Sequence, residues 1–170
     1  MKSRVITRLG VGLSVVVLAA ACGRPKLTLP TAKEIEAHYT YRGKLTARMN
    51  GNLAEVTVIQ PTSEISRGGV LWAKVGPYVV LFSDDTQSLF NDYSGLAAVR
   101  VTTELAGGRE IASALLRRNE LSGILWRRSL HIAGMARKYG TQRPALLDDL
   151  VSWGEQHTQY KYNGQYTSTP

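Results

Sequence analysis

Residues 39–60 read YTYRGKLTARMNGNLAEVTVIQ, and this stretch decides the fold class. A period of two runs through Tyr39, Tyr41, Gly43, Leu45, Ala47 and Met49, is broken by Asn50-Gly51, and resumes through Val56 and Val58. That period places the alternating side chains on one face of a strand, and Asn-Gly supplies the positive φ angles of a tight hairpin turn. The stretch predicts a β-hairpin closing at Gln60, with Pro61 to Gly69 as a loop.

Working outward, Val70–Val75 and Tyr78–Ser83 read as two further strands around a turn at Gly76-Pro77. The second is apolar throughout (Val79, Val80, Leu81, Phe82), as a central strand would be. Asp84 or Asp85 caps a short helix over Thr86–Tyr93, ended by Gly95, and Ala97–Glu104 alternates as another strand, giving a local β-α-β unit. From Gly108 to His157 the chain reads as helical: Glu110–Arg118, then Ile124–Tyr139 closed by Gly140, then a last helix after Pro144. Tyr160–Tyr162 adds a short strand. Toward the N-terminus, Thr31-Ala32-Lys33-Glu34 forms a capping box that opens a helix to about His38. The expectation is an α+β fold: an antiparallel-rich sheet of about five strands followed by a three-helix C-terminal half. It forms a single domain over residues 31–166, with a frayed tail at 167–170. Gly107-Gly108 falls between the two halves, and Trp72, Trp126 and Trp153 are expected in the core.

The 170 residues are 44% hydrophobic and carry a formal net charge of +8. This length excludes a large multidomain enzyme, and the apolar content excludes a disordered chain. A single cysteine excludes a disulfide framework and any Cys-rich zinc site.

That cysteine lies in a segment unlike the rest. Lys2, Arg4 and Arg8 make a basic start, and residues 9–23, LGVGLSVVVLAAACG, carry no charge. The run has the length of a signal peptide and is short for a permanent span of about 20 apolar residues. It ends in Leu18-Ala19-Ala20-Ala21-Cys22-Gly23. The small residues before Cys22 resemble the processing site of a bacterial lipoprotein precursor. The resemblance covers only the beginning of the chain. It implies cleavage after Ala21, removal of a signal peptide of residues 1–21, and acylation of Cys22 through a thioether and its new amino group. Each buried methylene contributes about 0.8 kcal/mol, so two or more acyl chains anchor where one does not. Residues 22–30 then form a tether, with Arg24 and Lys26 beside the headgroups of anionic lipid. The implied location is the cell envelope, outside the cytosol. Gly23 stands where an Asp would retain such lipoproteins in an inner membrane, which favours the outer membrane in an organism that has one.

Catalytic signals are sparse. His38, His131 and His157 are far apart and lack metal-ligand spacing, so neither metal nor cofactor is expected. Asp84-Asp85 and Asp148-Asp149 read as helix N-termini, where the dipole favours anions. Gly107, Gly108 and Arg109, read at a helix start, form a candidate anion site. Basic pairs recur at Arg117-Arg118, Arg127-Arg128 and Arg137-Lys138, and on one helix Arg127 and Lys138 project within about 20° of each other. These six residues form a candidate surface for lipid phosphates or an acidic partner, whereas no nucleic-acid motif accompanies the charge. Two Tyr-x-Tyr pairs, Tyr39/Tyr41 and Tyr160/Tyr162, read as cross-strand pairs closing the ends of the fold.

The leading reading is a lipid-anchored envelope protein with a non-catalytic binding or assembly role, as an accessory subunit of a membrane complex. The alternative is a small-ligand-binding protein or small hydrolytic enzyme. Its pocket would lie between sheet and helices, with His131, Arg109 and Asp149 as first candidates.

Overall fold

The computed structural model describes residues 27–168. In chain order the elements are α1 (Ala32–His38), β1 (Leu45–Asn50), β2 (Leu53–Ile59), α2 (Thr62–Leu81), α3 (Asp84–Asp92), β3 (Ala98–Glu104), β4 (Glu110–Arg117), α4 (Gly123–Tyr139), α5 (Ala145–His157), β5 (Gln159–Tyr162) and α6 (Gly164–Thr167). The architecture is α+β, with one five-stranded mixed sheet in the order β1-β2-β3-β4-β5. β2 and β3 are parallel, joined through α2 and α3, and the other pairings are antiparallel.

The hairpin forms as read, with Asn50 opposite Leu53 and Gly51 at a φ of 60°. Leu45, Ala47 and Met49 pair with Val58, Val56 and Ala54 on the core-facing side. The ladder begins at Leu45, so Tyr39 and Tyr41 are not cross-strand residues. The free edge of β1 is blunted by α1: the Ala47 N–H donates to Glu36 Oε1 at 2.9 Å. The capping box of α1 is present in both directions, from Thr31 N–H to Glu34 Oε2 (2.7 Å) and from Glu34 N–H to Thr31 Oγ1 (3.3 Å).

Two segments differ from the sequence reading. Residues 70–75 and 78–83 are not strands; both lie in α2, which already starts at Thr62 where a loop was expected, or just beyond its end. An apolar run bounded by turn-like residues has no visible period when a helix is buried on several sides, so it reads equally as strand. Here α2 lies on β3 and β4 and against α4 and α5. Gly76-Pro77 falls inside this helix, and the irregular point is Gly69, at φ 57°. The second correction is residues 110–117, expected as helix and found as β4. Its Glu, Ala and Leu favour helix weakly, but the segment is hydrogen-bonded to β3 on one side and β5 on the other. The helices therefore alternate with strands and do not form a separate C-terminal half.

Smaller expectations hold. α3 spans Asp84–Asp92 with both aspartates in its first turn, although the capping side chain is Ser83. α4 and α5 lie where the periodicity placed them. Trp126 and Trp153 are buried, the latter donating from Nε1 to Ser129 Oγ at 2.8 Å. The tail is not free from Thr167 onward, because Thr167 closes α6 and is buried.

Tyr78 is the hub of the core. It is fully buried, stacks on Phe82 with ring centroids 6.0 Å apart, and shares a 2.6 Å hydrogen bond with the Tyr162 hydroxyl on β5. Burial pushes its phenol up to about 12, so the hydroxyl stays neutral. A Cβ placed on Gly154 of α5 would lie 2.5 Å from the Tyr78 ring. Overpacking of this kind costs about 1–3 kcal/mol, so Gly154→Ala should lower the thermal midpoint measured by circular dichroism. Gly107→Ala, at a position with nothing within 4 Å of the added carbon, should leave it nearly unchanged.

Candidate functional site

A cleft of about 550 Å³ opens beside α2, within the size range of small-ligand sites. One helical stripe of α2 forms its wall: Trp72, Gly76, Val79 and Val80, continued by Ser83. Val58 and Gln60 at the end of β2 and Thr103 on β3 form its floor. The segment between α1 and β1 closes one side with Tyr39, Thr40, Tyr41 and Arg42. Asp85 of α3 and Arg137 of α4 complete the lining.

Gln60 organises the floor. Its N–H donates to the Glu104 carbonyl (2.8 Å) and its Nε2 to the Trp72 carbonyl (3.0 Å), tying β2 to β3 and α2. Its side chain is buried, at 3% exposure, yet Oε1 has no hydrogen-bond partner, and neither has the buried Nε1 of Trp72. Unsatisfied buried polar atoms are uncommon and cost free energy. Gly76 is what allows Gln60 into this position. A Cβ there would stand 2.8 Å from Gln60 Oε1 and 2.9 Å from Thr103 Cγ2.

Charge in the cleft is unbalanced. Asp85 Oδ2 is engaged by the Thr40 N–H (2.9 Å) and Oγ1 (3.0 Å). Arg42 and Arg137 are exposed and have no hydrogen-bond or ion-pair partner among the described residues. The Tyr39 hydroxyl is hydrogen-bonded to Thr86 Oγ1 (3.0 Å), and burial raises its pKa well above the ordinary phenol range. Ser83 Oγ donates to the Val80 carbonyl and caps α3, and among the described residues no histidine lines the cleft. The side chains present can hold a ligand by charge, hydrogen bond and apolar contact.

The residues singled out from sequence are dispersed. Cys22, Ala21, Arg24 and Lys26 lie outside the described residues. Gly107, Gly108 and Arg109 form the β3–β4 turn and not a helix start. The Gly108 N–H donates to the Leu105 carbonyl, and Arg109 packs over the Tyr166 ring. The anion site read there is thus corrected: no helix begins at it to present free N–H groups. The basic pairs do not form one stripe, because Arg117 and Arg118 are on the β4 end of the sheet. Arg118 turns inward and donates to the carbonyls of Phe90, Tyr93 and Leu96, and burial lowers its pKa. Arg127 is exposed on α4, Arg128 lies 4.4 Å over the Trp153 ring, and Lys138 is 4.9 Å from the Tyr139 ring. His131, Asp149 and Arg109 are all exposed and none lines the cleft. Tyr160 and Tyr162 lie against each other along β5, with ring centroids 4.9 Å apart and the planes tilted by 37°. Among the described residues no cluster of His, Cys, Asp and Glu is placed to hold a metal ion.

Arg42, Gln60, Gly76 and Thr103 were not legible as site residues. The one signal pointing this way was the Tyr39-x-Tyr41 pair, whose aromatic rings do line the cleft. No protein-family model, curated protein or solved structure matches the chain.

The side of the cleft formed by residues 39–42 is held in place through His38. Its Nδ1 contacts the Glu34 carbonyl (2.9 Å) and its Nε2 contacts Asp92 Oδ2 (3.0 Å). Both partners are acceptors, so the imidazolium satisfies both and the neutral ring only one. Burial alone would lower the His38 pKa, but the bonds to Asp92 and to the Glu34 carbonyl, with the charges of Asp92 and Asp85, raise it. A raised folded-state pKa means that the stabilisation is complete below the unfolded value, near about 6.5, and is lost as pH rises through the folded value. Asp92 is mostly exposed, which limits the effect to about 0–1 kcal/mol. Urea unfolding across this range should show stability falling toward alkaline pH by that amount, and His38→Gln should flatten the trend.

Proposed function

We propose that the chain is a lipid-anchored cell-envelope protein whose domain binds a partner without transforming it. The observation that carries this reading is the polarity of the domain. Thr28, six positions after Cys22 in the sequence, is tied to the turn between α3 and β3. The Gly95 N–H donates to the Thr28 carbonyl (2.8 Å) and the Thr28 N–H to Ser94 Oγ (3.3 Å). The same pole gathers the β1–β2 turn, through Ala97 N–H to the Asn52 carbonyl, and the end of β4, through Arg118 N–H to the Ala97 carbonyl. The start of α4 joins it through the Phe90–Trp126 contact, with ring centroids 6.4 Å apart. Leu27 is 65% exposed, Ile124 at the start of α4 is 71% exposed, and Arg117 at the end of β4 is exposed as well.

Five extended residues reach at most about 18 Å, so acyl chains on Cys22 would keep this pole against the bilayer. Its exposed leucine and isoleucine, together with the exposed Arg117 that ends β4 and Arg127 in the first half of α4, suit an anionic membrane surface. The cleft lies at the far ends of β2 and β3, about 20 Å away along the strands. A domain held in this way presents its cleft away from the membrane. No helix among the described residues is long and apolar enough to cross one.

The reading that the domain is a small-ligand receptor is favoured by the cleft itself. The candidate residues are then Gln60, Trp72, Arg42 and Arg137, in place of His131, Arg109 and Asp149. An assembly role as accessory subunit of a membrane complex draws on the exposed face of α4 at Arg127 and Lys138.

The anchor is tested by Cys22→Ala. Fractionation of cells should move the protein from the membrane to the soluble envelope fraction, or leave an unprocessed precursor. Mass spectrometry of the parent protein should find an acylated Cys22 at the new N-terminus. A bare thiol on a chain that retains residues 1–21 would overturn the lipid anchor.

A further inference from the structure

Resting on the reading of the cleft as the binding face, we infer that its ligand is a small amphipathic anion: an acidic head group on an apolar body that carries a hydrogen-bond donor. Three independent features of the cleft define that chemistry.

The first is the pair of arginines. Arg42 comes from the segment before β1 and Arg137 from the last turn of α4, so two remote parts of the chain bring like charges to one opening. Neither is neutralised by a carboxylate among the described residues, and the one acid in the lining, Asp85, already accepts two hydrogen bonds from Thr40. Guanidinium groups in this state favour a carboxylate, phosphate or sulfonate, which they can bind through paired N–H donors. The second is the wall, where Val79, Val80 and the rings of Tyr39 and Trp72 offer apolar surface to the body of the ligand. The third is the floor. Gln60 Oε1 is an acceptor without a partner on a side chain that is almost fully buried, and Gly76 leaves the space in which it lies. Oε1 is covered by its neighbours, so a donor on the deep end of the ligand satisfies it only as the lining side chains move aside to admit that end.

Indole-3-acetate has this pattern in small form, and indole-3-acetamide is its neutral isostere with the same ring N–H. Both are titrated calorimetrically into the full chain in neutral detergent micelles, with empty micelles as the blank. Expected is saturable one-to-one binding of the acetate and affinity for the acetamide weaker by about tenfold or more, the scale of a charge-assisted hydrogen bond. Arg42→Gln and Arg137→Gln, both at exposed positions where folding is not at stake, should each reduce binding of the acetate by a similar factor and leave that of the acetamide unchanged. Added salt should weaken the acetate alone. Equal affinity for the two compounds, unaffected by either arginine, overturns the anionic class while leaving the cleft as the binding face. Absence of binding by both, or binding that survives Val79→Trp in a protein with an unchanged circular dichroism spectrum, overturns the cleft reading itself.

Discussion

The ring of Tyr78 occupies the space in front of Gly154, and its hydroxyl reaches Tyr162 on β5. Through this one side chain the central helix α2 is held against α5 on one side and against the last strand of the sheet on another. A larger residue than glycine at 154 would force the helices apart, and loss of the hydroxyl bond would leave the buried Tyr78 phenol without its Tyr162 partner. Because α2 also lies on β3 and β4, its axis is set by contacts on several sides at once. The orientation of its remaining stripe, from Trp72 to Ser83, follows from that axis, and so does the cleft.

The two ends of the domain are built on different principles. At the end where the described chain begins, polar groups are used to close loops. Arg118 donates to the carbonyls of Phe90 in the last turn of α3 and of Tyr93 and Leu96 in the α3–β3 connection, so one guanidinium ties the loop to the helix end. Thr28 adds bonds to the same connection, so the first described residues join the fold directly. At the cleft end the opposite holds. Gln60 Oε1 and Trp72 Nε1 are buried without partners, and two arginines face the opening without carboxylates. Local departures of this kind from full satisfaction concentrate at sites that receive something from outside the fold.

The sheet contributes a third element of order. Its core-facing side carries Val56, Val99, Val101 and Leu116, while the opposite side carries polar pairs such as Arg48 and Arg100 flanking Glu55. Such ladders keep one face in water, while α2 packs on β3 and β4. The parallel pairing of β2 with β3 requires a long crossover on that covered face, which is the position taken by α2 and α3.

The amino-acid sequence alone determined the elements whose signals are local. The Asn50-Gly51 hairpin, the Thr31–Glu34 capping box, the acidic first turn of α3 and the periodic α4 each depend on neighbours within a few residues. The LAAACG segment around Cys22 is local in the same sense and carries the targeting expectation by itself. Tertiary structure decided the rest. Residues 70–82 have no period because a helix buried on several sides has no polar face, and the glycine at 76 within that helix leaves the space that Gln60 and Thr103 occupy. Residues 110–117 became a strand because two partners, β3 and β5, were available to hydrogen-bond it, which outweighs a weak helical preference. The cleft was beyond sequence for the same reason: Arg42, Gln60, Gly76, Thr103 and Arg137 come from five separate segments. Only long-range packing, which has no signature in residue spacing, brings them around one space.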